Sequence, residues 1–140
     1  MADFPSPEWA QEFKKALDAS AGYRDAGKDW THGPVALVVK SDPGLGIGED
    51  IGLWLDLERG VCRDAKIVSR AEAEKAPFCI LGEYSRWKSV IRKELDPIKA
   101  MMQKKLELKG QMTLIVKYVN ASKELVECAT RVPTKFLDEK

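Results

Sequence analysis

Hydrophobic residues recur along this chain with two periods, and the alternation between them marks out its elements. Trp9, Phe13 and Leu17 fall every four residues, the single apolar stripe of an amphipathic helix. Ser6 predicts the N-cap of that helix, Pro7 its first position, and Gly22 its stop. The period then shortens. Val35-Ala36-Leu37-Val38-Val39 is a β-branched run, and Ile51, Leu53, Leu55 and Leu57 alternate with Gly52, Trp54, Asp56 and Glu58 as a half-buried strand does. Arg59-Gly60 turns the chain into a third strand, Val61 to Ser69. A short helical turn is expected over Ala71 to Lys75, and Phe78-Cys79-Ile80-Leu81 reads as a fourth strand.

The longer period returns in the second half. Ser85 can cap a helix in which Trp87, Val90, Ile91 and Leu95 share one face. Asp96-Pro97 restarts a helix carrying Ile98, Met101 and Met102 at i, i+3 and i+4. Leu106-Glu107-Leu108-Lys109 alternates as a fifth strand that Gly110 ends. A long helix is predicted from Gln111 to about Arg131, closed by Pro133, with Met112, Ile115, Val116 and Val119 as its first stripe and Leu125, Cys128, Ala129 and Val132 extending it. Consecutive antiparallel strands followed by helices predict an α+β fold with helices packed over one face of a sheet.

Composition narrows the class. With 140 residues, 44% of them hydrophobic and 32% charged, the chain is expected to form one domain, residues 1–140. A chain of that size buries roughly 70% of its unfolded surface. No apolar run approaches the ~20 residues of a membrane span, and the first residues, Met1-Ala2-Asp3-Phe4-Pro5, lack a secretory pattern. The last residues, Leu137-Asp138-Glu139-Lys140, are not a peroxisomal tripeptide. Three scattered cysteines, Cys62, Cys79 and Cys128, argue against a disulfide framework and against a zinc site, and suit a cytoplasmic protein.

The net charge of +1 gives no indication of a nucleic-acid partner, but its distribution is uneven. Residues 41–74 carry eight acids against four bases, and residues 86–117 carry nine bases against three acids. Such runs are either solvated helix faces or, in the second segment, a positive face that meets anionic lipid or a phosphate-bearing ligand.

Catalytic constellations are sparse. Gly44-Leu45-Gly46-Ile47-Gly48 resembles a phosphate-binding loop, yet a strand follows it. Without a helix N-terminus directly after the glycines, the N–H groups and dipole that would meet a pyrophosphate are missing. No Gly-Lys-Ser/Thr occurs either, so the loop is read as a hairpin connection with Asp42-Pro43-Gly44 as turn chemistry. His32 is the sole histidine, which excludes a multi-histidine metal site and leaves one residue on which any triad would depend. No catalytic residue, cofactor or metal is expected. Met101, Met102 and Met112, close together in sequence, supply adaptable apolar surface.

The segment from Ala76 to Gly110, APFCILGEYSRWKSVIRKELDPIKAMMQKKLELKG, resembles the sterol carrier protein type 2 domain, the SCP-2-like lipid-transfer family. The shared features are Glu83-Tyr84 through Trp87, Leu95-Asp96-Pro97, Ala100-Met101-Met102, Lys104-Lys105-Leu106 and Leu108-Lys109-Gly110, with element order extending the likeness over the rest. Lys93-Glu94 departs from the pattern where a glycine is common, and is expected to lengthen the helix.

The resemblance implies an α+β domain with a five-stranded, largely antiparallel sheet covered by helices around an apolar tunnel. It also implies non-enzymatic binding, and transfer, of a fatty acid, fatty-acyl chain or sterol-like lipid. By that architecture the tunnel wall combines Trp87, Ile91 and Leu95 with Ile98, Met101 and Met102, and Met112, Ile115, Val116 and Val119 complete it. Lipid is the expected partner, with transient contact at an anionic membrane surface, as a monomer or homodimer. The alternative is a protein-interaction or dimerisation module of the same fold with a filled interior, for which Leu45 and Ile47, exposed at the hairpin tip, would be the contact residues.

Overall fold

The computed structural model describes residues 1–139 and builds them around two sheets. Strand β1, Ala2–Phe4, precedes helix α1, Pro7–Asp18. Ser6 caps α1 by accepting the Trp9 N–H at 3.1 Å, and Trp9, Ala10, Phe13 and Leu17 form its buried stripe. Gly22 does not stop this helix. It ends at Asp18, and Ser20 caps a second short helix, α2, Ala21–Ala26, in which Gly22 sits beside the Glu124 carboxylate.

The main sheet follows from the alternating segments: β2, Val35–Val39; β3, Ile51–Glu58; β4, Val61–Ser69; and, after helix α3, Arg70–Ala73, strand β5, Phe78–Gly82. Helices α4, Tyr84–Ile91, and α5, Pro97–Met102, lead to β6, Glu107–Lys109. The strand order is β4-β3-β2-β5-β6, antiparallel throughout except that β2 and β5 run parallel, with Val35 opposite Phe78. A bulge between Asp56 and Leu57 offsets the β3–β4 register.

The predicted long C-terminal helix is two. Helix α6, Met112–Lys117, and helix α7, Val119–Thr130, meet at Tyr118, whose backbone (φ −106°, ψ 39°) leaves the helical region. Strand β7, Thr134–Phe136, then pairs in parallel with β1, a second sheet that local patterning did not predict. Tyr84 joins these two strands to α4: its hydroxyl donates to the Phe4 carbonyl at 3.2 Å and accepts the Leu137 N–H at 2.8 Å.

Two further expectations are corrected. Helix α4 is not lengthened through Lys93-Glu94; it ends at Ile91, and Lys93 takes a left-handed backbone, φ 60°, the conformation glycine adopts at least cost. Its N-cap is Glu83, not Ser85. The Asp96-Pro97 signal works as read, since the Asp96 carboxylate accepts the Ile98 and Lys99 N–H groups at 2.9 and 3.1 Å.

Candidate functional site

The face of the main sheet that points toward the helices is lined by Val35, Leu37, Leu55, Leu57 and Ile80, and the space above it is not filled. An apolar cavity of about 130 Å³ lies there. Phe4, Trp9, Phe13, Tyr23 and Trp30 wall it on the side of the first thirty residues. Opposite stand Trp87, Val90 and Ile91 from α4 with Pro97 and Met101 from α5. Ile115 and Tyr118 close it from above, with Ala121, Ser122, Leu125, Val126 and Ala129 of α7.

The wall keeps its shape because its large rings are fixed at their polar ends. Trp87 Nε1 donates to the Val38 carbonyl at 2.8 Å, Trp30 Nε1 to the Gly33 carbonyl at 2.9 Å, and Trp9 Nε1 to Thr134 Oγ1 at 2.8 Å. Tyr118 donates to the Asp29 carbonyl at 3.1 Å. A buried indole that gave up such a bond to swing into the void would leave a donor and an acceptor unpaired, at about 1–3 kcal/mol. Gly82 makes room for the arrangement, because a Cβ there would stand 3.2 Å from Trp87 Nε1 and overlap the Leu106 side chain.

No residue on the wall carries a charge. Its polar atoms are hydroxyls, on Tyr23, Tyr118 and Ser122, and burial pushes the Tyr23 phenol well above its ordinary range, so it stays protonated. Burial likewise pushes the Cys62 thiol up to about 12 and raises Cys79 and Cys128, which favours the protonated thiol in all three. His32 packs edge-on against Trp30, its Nε2 3.3 Å from the Tyr118 hydroxyl. Among the described residues no cluster has the composition of a metal site, and no helix is long and apolar enough to cross a membrane.

A second hollow, a groove of about 270 Å³, runs between α5 and α7. Leu95, Pro97, Ile98, Val119 and Val126 supply its apolar surface, and Lys93, Asp96, Lys123 and Glu127 its charges. Pro97, Ser122 and Val126 belong to both hollows, so the groove and the cavity share a wall one side chain thick.

The residues expected to line a tunnel therefore separate into groups. Trp87, Ile91, Met101 and Ile115 stand together on the cavity wall. Leu95, Ile98 and Val119 lie in the outer groove. Met102 is 61% exposed and Val116 40%, and neither they nor half-buried Met112 line the cavity. In α5, Met101 turns inward and its neighbour Met102, about 100° further round the helix, turns out.

The sequence reading missed the wall's contribution from the first thirty residues and from α7. The second has a visible signal: Leu125 and Ala129 fall on the apolar surface expected of the last helix, and Tyr118 and Ser122, which that surface omits, stand at helical intervals between them and Ile115.

The glycine loop is a hairpin connection, as expected. Pro43–Leu45 forms one 3-10 turn, Gly46 takes a left-handed φ of 81°, and Asp42 and Ile47 exchange both backbone hydrogen bonds. The N–H groups of Leu45, Gly46 and Ile47 are thus spent inside the turn. Its apolar residues are not the exposed contact pair expected of an interaction module: Ile47 is buried and Leu45 half-buried, both against the main core.

Comparison with known proteins agrees with this architecture. The model of the SCP-2 sterol transfer family matches residues 13–123. No curated protein matches the chain. Among solved structures, a crystal structure of sterol carrier protein 2 is 37% identical with a TM-score of 0.84, covering 91% of this chain and 97% of its own. The solution structure of a conserved hypothetical protein from Thermus thermophilus, described as possibly a sterol carrier protein, is 36% identical with a TM-score of 0.84, covering 93% and 90%. The apo form of sterol carrier protein 2 from Yarrowia lipolytica, at 14% identity and a TM-score of 0.55 over 85% and 87%, shares the fold.

Proposed function

This chain belongs to the SCP-2 sterol transfer family, whose general role is lipid binding and transfer, and on that premise we propose that it carries a single-chain apolar lipid, without catalysis, in the cavity over the main sheet. The observation that carries the reading is an uncharged cavity whose aromatic walls are tied in place rather than collapsed. Burying an acyl chain against Trp87, Ile91, Met101 and Ile115 contributes about 0.8 kcal/mol per CH₂ before the costs of association.

The volume sharpens the proposal. At about 130 Å³ the space is on the scale of an engineered cavity of ~150 Å³ that accepts one benzene, so only part of a long chain fits the cavity as it stands. The remainder must widen the walls or extend outward. Displacement of a fluorescent fatty acid by unbranched acids of increasing length tests this. Affinity is expected to climb with each methylene and then level off; equal affinity for short and long chains would defeat the proposal. Native mass spectrometry of protein purified from cells is expected to show a co-purifying lipid.

The exposed apolar residues have a place in the same reading. Met102 stands in the chain beside Lys104 and Lys105, and Val116 beside Lys117, the combination that lets a carrier touch an anionic bilayer transiently. Co-sedimentation is expected with vesicles containing phosphatidylserine, to weaken with added salt, and to be absent with purely zwitterionic vesicles.

A further inference from the structure

The cavity offers an ionised ligand no counter-charge. Its wall is uncharged, its indole N–H groups are committed to Val38, Gly33 and Thr134, and the Tyr118 hydroxyl to Asp29. An ionised head group drawn into such a space would lose its hydration without a counter-charge, so it has to remain outside while the chain goes in. The groove between α5 and α7 is placed to receive it, because Pro97, Ser122 and Val126 line both spaces. Ser122 is the one polar side chain common to both.

The charges around the groove are not equivalent. Asp96 is committed to capping α5 through the Ile98 and Lys99 N–H groups. Glu127 and Lys93 form an ion pair, and the hydrogen bond from Lys93 holds the Glu127 carboxyl below its ordinary value. Lys123 makes no ion pair among the described residues, which leaves the groove with one uncommitted charge, and it is positive.

We infer that the α5–α7 groove is the mouth of the cavity and the seat of a carboxylate head group, with Lys123 as its cationic partner and Ser122 at the throat. The inference rests on the carrier reading above but is separable from it. The cavity could hold an apolar chain that enters elsewhere, or one that carries no charge at all.

Oleate and oleyl alcohol, which share a chain and differ in head group, separate the possibilities when titrated against intrinsic tryptophan fluorescence. Lys123→Gln is expected to weaken oleate about threefold to fivefold, the scale of one exposed ion pair, and Lys123→Glu about tenfold, with oleyl alcohol unchanged in both. Lys66→Gln, exposed on β4 and outside the groove, is expected to leave both lipids unaffected. Ser122→Trp is expected to slow the association of both lipids more than about tenfold, as a plugged throat would.

Oleate binding that is indifferent to Lys123 overturns the head-group assignment while leaving the carrier reading intact. So does a wild-type protein that takes oleyl alcohol and refuses oleate. Unchanged association rates in a folded Ser122→Trp variant move the entrance elsewhere; should that variant not fold, the Lys123 pair still decides. A wild-type protein that binds neither lipid removes the carrier reading and this inference together.

Discussion

The two faces of the main sheet solve the packing problem in opposite ways. On one, Ala36, Val38, Cys79 and Leu81 meet Ala73 and Ala76 at or beyond helix α3, and the side chains are small enough for close approach. A Cβ on Gly52 there would come within 2.9 Å of Val68 and 3.0 Å of Ala73. On the other face the side chains are far larger, with Trp9, Phe13, Trp30, Phe78 and Trp87 among them, yet a cavity remains. Side-chain size therefore does not decide density in this fold. On the cavity side the indoles of Trp9, Trp30 and Trp87 are hydrogen-bonded to fixed backbone or side-chain partners, whereas Trp54, which packs against the small cluster on the other face, has no such bond among the described residues.

Substitutions that add or remove volume on each face test that contrast. The largest effect is expected from Ala36→Leu on the close-packed face, which has no space for three more carbons and should lose about 2–3 kcal/mol in urea unfolding. A loss below about 1 kcal/mol would show that this face has slack.

Trp87→Phe comes next, at about 1–2 kcal/mol, because the Val38 carbonyl loses its partner while most of the ring's apolar bulk is kept. If anchoring holds the cavity open, this variant should also bind lipid more weakly than its stability loss accounts for. Ala121→Leu pushes volume into the cavity itself and is expected to stay within about 1 kcal/mol of the parent while reducing lipid capacity. The same added bulk would then be tolerated on one face and not on the other.

The smallest effect is electrostatic and, on the close-packed side, centres on α3. The Ser41 N–H and the Arg70 guanidinium hold the Asp50 carboxyl below its ordinary value, and Arg70 and Lys109 do the same for Glu74. A carboxylate with a lowered folded pKa stabilises fully above its unfolded value, near pH 4, and that contribution is lost as pH falls through the folded value. Protection of the α3 amides, taken relative to the intrinsic exchange rate at each pH, should therefore fall on going from pH 7 to pH 3 before that of α4 does. An equal loss of protection in α4 would show that this network does not hold α3 in place.

How far these features were legible depended on the distance over which the cause acts. The alternation of Ile51 to Glu58 and the Asp96-Pro97 cap act within a few residues, and both read correctly. The break at Tyr118 did not show, because helical periodicity runs through it on either side: Ile115 and Ala121 both face inward although the backbone between them leaves the helix. The site was legible in part for a similar reason. Trp87, Ile91 and Met101 sit on stripes that any helix would bury, but a stripe does not tell which buried residue meets another and which meets empty space. Trp9 and Phe13 were identified as buried and not as wall, since the strands that place them opposite α4 lie far away in sequence. Lys93 shows the converse. Its departure from a glycine was visible, and its meaning needed the backbone angle.

The pairing of β1 with β7 has a consequence for the order in which the molecule is made. Ala2 lies opposite Thr134 and Phe4 opposite Phe136, so β1 has no partner until residues 134–136 have been added. At about 5–20 residues per second, that is a wait of several seconds or more. Throughout it, Phe4 lacks its ring contact with Phe136 and Trp9 its hydrogen bond to Thr134. The β1 side of the fold is thus completed last, after the main sheet can already have formed, and a nascent chain halted before residue 134 would leave Phe4 and Trp9 without those partners.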